Sequence, residues 1–200
     1  MIAILDYGSG NLRSAQRAFQ RSGEEVVVTS DRDIALNAQG LVVPGVGAFA
    51  ACMEQLIAVG GAEIIANRVA KERPIFGICV GMQILFRDGD EHTNGPLHQG
   101  VSIWDESITK LDAPILPHMG WNTVEVSSNS NLFKGIEDQS FYFVHSYAAK
   151  KSVGIAQAWS THSEKFLAAV EDGAIAATQF HPEKSGDAGL ALIKNWVGSL

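Results

Sequence analysis

The chain opens with a short apolar run, "IAILDY" (2–7), broken by the glycine-rich "GSGN". Small and apolar residues then fall at helical spacing, at Leu12, Ala15, Ala18 and Phe19, and Gly23 stops the helix they predict. "EVVVTS" and "LVVPG" read as the second and third strands, and "ACMEQLIAVGG" and "AEIIANRVAKE" as helices, the latter closed by Pro74. "IFGI" is a fourth strand that runs directly into "VGMQILF", whose spacing predicts a helix. Strands that are apolar on both faces and separated by helices predict a mostly parallel sheet with helices packed on each side. From about residue 97 the pattern changes to short strand-like runs with little helix between them: "GVSIWDESITKL", "NTVEV", "SFYFVHSYAA", "KFLAAVEDG" and "AIAATQF". These predict antiparallel additions to the same sheet or a small side sheet. An amphipathic helix, "AGLALIKNWVGSL", follows. The expected fold class is therefore α/β, an open sheet flanked by helices. Without a Pro/Gly/Ser-rich linker or a repeat, residues 1–200 read as one domain.

Composition narrows the function classes. A chain of 200 residues with 46% hydrophobic and 18% charged residues has the makeup of an ordinary globular protein, not a disordered one. No apolar run approaches the ~18 residues of a membrane span, so no membrane is expected as partner. A net charge of −7 argues against a nucleic-acid backbone, which calls for a basic face. Two cysteines, Cys52 and Cys79, are too few for a disulfide framework, and no CxxC or HxxxH spacing offers a metal site. No metal and no cofactor are expected, and a reducing, cytoplasmic setting fits best.

The chemistry begins at "GICVG" (77–81), a cysteine between two glycines where a strand turns into a helix. This is the architecture of a nucleophile elbow. The glycines remove side chains that would collide with the neighbouring strand and helix, and the thiol stands clear of the carboxyl edge of the sheet, where open α/β sheets bind ligands. The following helix points its positive end at the sulfur and favours thiolate. A buried structural cysteine is the plain alternative, since cysteine is among the most buried residue types. Cys52, inside a helical stretch, is assigned to packing. A thiol nucleophile also needs a base and a group to orient it. "TQFHPEKS" supplies His181 and Glu183, which project to the same side of extended chain, stiffened by Pro182. The other five histidines have no such context. Donors for a developing oxyanion are the Val80 amide and the glycine-flanked loop "PGVGAF" (44–49).

Together, "PGVGAF", "GICVGMQ" and "FHPEKS" resemble the class I glutamine amidotransferases, and the resemblance covers nearly the whole chain. "DYGSGNLRS", "LPHMGWN" and "FYFVHSY" extend it toward the glutaminase subunits that feed a (β/α)₈-barrel cyclase. The resemblance implies a flavodoxin-like sheet and a Cys79–His181–Glu183 triad that releases ammonia from glutamine. It places Val46 and Gly47 in an oxyanion loop whose peptide reorients, and Gln83, Glu91, Ser146 and Tyr147 around the substrate. Asn11, His118, Met119, Trp121, Asn122, Tyr142 and Lys184 become exposed candidates for the cyclase interface. Val80 stands where leucine is common, with little consequence because the amide does the work. Glu91 lies in the variable stretch 88–100. The rival readings are the glutaminase of another synthase, such as pyridoxal phosphate synthase, which gives no reason for "HMGWN" and "DYGSGN", and a catalytically dead scaffold, which would have lost a triad residue.

Overall fold

The computed structural model describes residues 1–93 and 95–200. The strands are β1 (Ile2–Leu5), β2 (Val26–Thr29), β3 (Gly40–Gly45), β4 (Ile75–Cys79), β5 (Phe86–Gly89), β6 (His98–Gln99), β7 (Trp104–Lys110), β8 (His118–Thr123), β9 (Glu125–Val126), β10 (Ser140–His145), β11 (Tyr147–Ala148), β12 (Ala156–His162), β13 (Glu164–Asp172) and β14 (Ile175–Thr178). The helices are α1 (Leu12–Gln20), α2 (Arg32–Asn37), α3 (Phe49–Ala58), α4 (Gly61–Ala70), α5 (Val80–Gln83) and α6 (Gly186–Val197).

The main sheet has eight strands in the order β2-β1-β3-β4-β14-β13-β12-β9. From β2 to β14 every pairing is parallel, and β13, β12 and β9 add antiparallel. β1, β3, β4 and β14 are buried along their whole length, as expected of parallel strands covered on both faces. On one face Phe76 of β4 packs between Phe19 of α1 and Trp196 of α6, with ring centroids 6.0 and 5.2 Å away. Phe141 stacks on Phe180 at 4.3 Å where the β10–β8 hairpin meets the sheet. A separate four-stranded sheet, β11-β7-β5-β6, lies beside the main one.

The structure departs from the sequence reading in five places. "AIAATQF" forms β14, which pairs in parallel with β4 as well as antiparallel with β13. "VGMQILF" is not one helix: α5 ends at Gln83, and Ile84, Leu85 and Phe86 turn out to accept backbone hydrogen bonds from Val101, Ile103 and Ser102. The segment 118–122, expected as an exposed loop, is strand β8, and β12 is a strand where none was expected. Finally, α2 fills the connection between β2 and β3. Both strands are parallel to β1, and parallel neighbours require a crossover element, so this helix was implied by the sheet itself. Asp31 caps it, accepting from Ile34 N–H at 2.9 Å.

Arg68 of α4 anchors the end of α2. Its side chain is fully buried and, among the described residues, meets no carboxylate; its guanidinium donates to the carbonyls of Ala35, Leu36, Ala38, Gln39 and Pro74 at 2.7 to 3.3 Å. Two of these are orphan carbonyls of the last turn of α2, the end of a helix that favours a cation. Burial, with Arg73 nearby, pushes Arg68 down to about 10. Replacing it leaves several buried carbonyls unpaired at once. Arg68→Leu is expected to lower stability by about 3 kcal/mol or more, read as a lower urea midpoint.

Candidate active site

The register of the parallel strands sets the site. Gly45 of β3 pairs with Cys79 of β4, and Ile78 pairs with Thr178 of β14. The chain therefore leaves all three strands at the same edge, and "PGVGAF", "GICVG" and "TQFHPEKS" emerge side by side. Cys79 sits at φ 55° and ψ −113°, a strained conformation for a residue with a side chain. A methyl group on Gly81 would overlap the Val43 carbonyl oxygen, and one on Gly77 would press on the backbone of Gly81 and Met82. Backbones pack against backbones here, which is why the glycines flank the cysteine. Because α5 is a single turn, its end offers Cys79 the amide of Val80 with little of a long helix's dipole.

His181 follows β14 in extended conformation (φ −99°, ψ 97°), and Glu183 lies in the short 3₁₀ turn Pro182–Lys184. The His181 backbone is pinned at both ends: its N–H donates to Tyr142 O at 3.0 Å, and its carbonyl accepts from Ser185 Oγ at 2.6 Å. The ring Nδ1 meets Glu183 Oε1 at 2.8 Å, with both side chains only 3% exposed. A carboxylate accepts, so Nδ1 carries the proton and Nε2 is the nitrogen left for the thiol.

Cys79 and His181 line one cavity of about 260 Å³. Its wall also contains Val46, Gly47, Val80, Gln83, Glu91, Ser146 and Tyr147, so the structure brings every expected oxyanion and substrate residue to the triad. Three of them have partners that limit what they can offer. Gln83 Nε2 donates to Tyr147 O and to Gln179 Oε1, both at 2.9 Å, which uses both amide hydrogens and leaves only its oxygen, an acceptor, for a ligand. Glu91 Oε2 accepts from Phe49 N–H at 2.7 Å and caps α3, where Ala48 has no side chain able to do so. The Val46 N–H donates to Ser9 Oγ at 3.1 Å, while Ser9 Oγ and Cys52 Sγ approach the Val46 carbonyl at 2.9 and 3.3 Å. Cys52 is thus more than the packing residue the sequence suggested: its thiol helps to hold the loop.

The expected interface residues divide. Asn11, Met119, Trp121 and Lys184 are exposed, with Trp121 edge-on to the half-buried Tyr142 at 6.1 Å. Asn122 is half-buried and donates to Thr161 O at 3.0 Å. His118 does not belong to that surface. It is buried, hydrogen-bonded through Nδ1 to His145 Nε2 at 3.0 Å and stacked on His162 at 4.4 Å. Strand alternation explains this: in β8 the odd positions 119 and 121 face out while 118 faces the core. Sequence reasoning also missed Ser9, His145 and Gln179. Gln179 follows the last residue of β14 at a bend, and nothing in the local sequence marks it.

Comparison with known proteins places the chain in a family. It matches the class I glutamine amidotransferase family over residues 3–198. The chain belongs to that family. Among its relatives, the protein named imidazole glycerol phosphate synthase subunit HisH in Mycobacterium bovis is 59% identical over 203 residues, covering 100% of this chain and 98% of that protein. The protein of the same name in Corynebacterium diphtheriae is 55% identical over 209 residues, covering 100% and 99%. A solved structure described as a glutamine amidotransferase superposes with a TM-score of 0.75 at 17% identity, covering 100% of this chain and 99% of its own. A second, PurLQS from Thermotoga maritima, gives 0.72 at 17% identity, covering 99% and 97%. These two likenesses bear on the fold alone.

The buried histidines titrate in opposite directions. For His181, burial disfavours the imidazolium, but the Cys79 thiol and the Glu183 carboxylate outweigh it and push the ring up to about 10. Burial pushes His118 down to about 4, with His162 adding to it, and His145 down to about 3, with His118, His162 and His181 adding to it. Below its ordinary value near 6.5, an unfolded histidine binds a proton that folded His118 or His145 refuses. Their contribution is complete above about pH 6.5 and is lost as the pH falls; that of His181 is complete below about 6.5 and is lost as the pH rises through about 10. His145→Gln is expected to flatten the fall in stability between pH 6.5 and 5, measured by urea unfolding across that window.

Proposed function

We propose that this chain works as the glutaminase subunit of an imidazole glycerol phosphate synthase, in histidine biosynthesis, and that residues 1–200 act as one amidotransferase domain. The observation that carries the reading is the meeting of Cys79 and His181 in one cavity, with Glu183 behind the ring on Nδ1; the full-length relatives support the particular synthase. Cys79 attacks the side-chain amide carbon of L-glutamine. His181 delivers a proton to the leaving nitrogen, ammonia departs, and a glutamyl thioester remains. Water activated by His181 then attacks the thioester, releasing glutamate and returning the electron pair to sulfur. Glu183 keeps the imidazole in the tautomer that presents Nε2. Gln83, through its free oxygen, suits the substrate's ammonium, and Glu91, Ser146 and Tyr147 complete the wall.

The partner is the (β/α)₈ cyclase subunit, which uses the ammonia to make imidazole glycerol phosphate and aminoimidazole carboxamide ribotide. Delivery across a sealed interface is needed because ammonia reaching water at neutral pH becomes ammonium and loses its nucleophilic lone pair. The exposed Met119 and Trp121, with Asn11, Tyr142, Lys184 and the half-buried Asn122 around them, supply an apolar anchor with a polar rim. The oxyanion site is incomplete while Val46 N–H is bonded to Ser9; turning that peptide over adds a second donor beside Val80 N–H. Docking of the cyclase against this edge supplies the occasion for the turn.

Two measurements test the reading. Cys79→Ala is expected to abolish glutamine-dependent synthesis in the complex and to leave ammonia-dependent synthesis by the cyclase unchanged; surviving glutamine turnover would show a different nucleophile. Ser9→Ala removes both hydrogen bonds that the hydroxyl makes to Val46, each worth about 1 kcal/mol, from the resting loop. Glutamine hydrolysis by the subunit alone is expected to rise about fivefold, read as glutamate release without cyclase.

A further inference from the structure

Gln179 lies outside the triad and the cavity wall, yet its position and the sense of its amide are both fixed. It is 1% exposed, and its backbone N–H donates to Ala168 O at 2.8 Å. The sense of the amide follows from its neighbours. The carbonyl of Tyr147 can only accept, so the Gln83 amide must turn its nitrogen toward it, at 2.9 Å. The same nitrogen faces Gln179 at 2.9 Å, so Gln179 must present its oxygen there. Its own nitrogen is then left on the side of Cys79, with Nε2 3.8 Å from Sγ. His145 Nδ1, 3.1 Å from the same Tyr147 carbonyl, keeps that group from turning. The order carbonyl, amide, amide, sulfur is therefore read in one direction only.

We propose that Gln179 is a positioning residue for the nucleophile, donating an amide N–H to the Cys79 sulfur and favouring its thiolate. The inference rests on Cys79 being the nucleophile. The sulfur is an attacking anion in the first step, when the Sγ–C bond forms. It is a leaving anion in the second, when that bond breaks and its electron pair returns to sulfur. One fixed donor serves both steps. A hydrogen bond to an anion is also stronger than one to a neutral thiol, so the donor selects the ionised form. The other titratable groups that act on the sulfur or are acted on by it, His181, Cys52 and Tyr7, are left intact when Gln179 is changed.

Gln179→Glu keeps the shape and still accepts from Gln83, but presents an acceptor to the sulfur; Gln179→Leu removes both functions. The full-length chain is treated with iodoacetamide between pH 6 and 10, modification of Cys79 is followed by peptide mass, and kcat and KM for glutamine are measured with the cyclase present. In Gln179→Glu, alkylation at pH 7 is expected to fall about tenfold and the deficit to close as the pH is raised. The kcat is expected to fall in parallel, with KM held within about twofold because Gln179 does not line the cavity. Thermal unfolding and co-elution with the cyclase report folding and docking of each variant. Should neither variant fold, Gln83→Leu, which frees the Gln179 amide to turn over, is expected to slow alkylation in the same direction. A wild-type alkylation profile in a folded variant overturns the inference. If Cys79 of the unaltered chain resists alkylation, or Cys79→Ala still hydrolyses glutamine, the reading of the site itself has failed.

Discussion

Everything at the active site depends on parallel pairing in register: β4 lies between β3 and β14, and all three end at one edge. Parallel strands deliver their carboxyl ends to the same side, so residues far apart in sequence leave the sheet as neighbours. Cys79 ends the middle strand, the loop proposed as the oxyanion site leaves one neighbour and the histidine–carboxylate pair leaves the other. Fully buried strands make that register hard to slip, because a slip of one residue would exchange the side chains on the two covered faces. The glycines at 77 and 81 then let the backbones approach closely enough for a 260 Å³ cavity to be walled by main chain and a few side chains.

Much of this was legible in the sequence. The buried parallel strands announce themselves as unbroken apolar runs, and the elbow announces itself by glycines two residues either side of a cysteine. His181 and Glu183 stand out as a His-Pro-Glu run at the end of a strand, although a 3₁₀ turn, not the extended chain expected, brings the carboxylate to the ring. What was not legible depended on contacts between distant segments. Nothing local distinguishes His118 from the exposed Met119 beside it until the β8–β10 pairing fixes which face turns inward. The end of α5 is likewise set by backbone partners at 101–103, not by its own residues. Cys52 looked like helix packing because its acceptor, the Val46 carbonyl, belongs to a loop and not to its own helix.

Buried polar groups in this chain are joined in sets, and the sets tie elements together. Arg68 gathers five carbonyls from the end of α2 and the segments that flank β3 and β4. His118 and His145 link the two strands of the hairpin that carries Trp121 on its outer face, and His145 passes the linkage to Tyr147 on the cavity wall. Such sets resist partial disruption, since removing one member strands the others. The hairpin face that carries the exposed Met119 and Trp121 is therefore joined by short, directional contacts to the cavity wall.

The grip of Ser9 on the Val46 peptide has a consequence at the scale of the cell. Glutamine is shared by many nitrogen-requiring reactions, and a subunit made in excess of its acceptor would otherwise drain that pool to no purpose. Under the proposed function, a resting loop held by one hydroxyl and one thiol keeps a surplus copy idle until its acceptor is present.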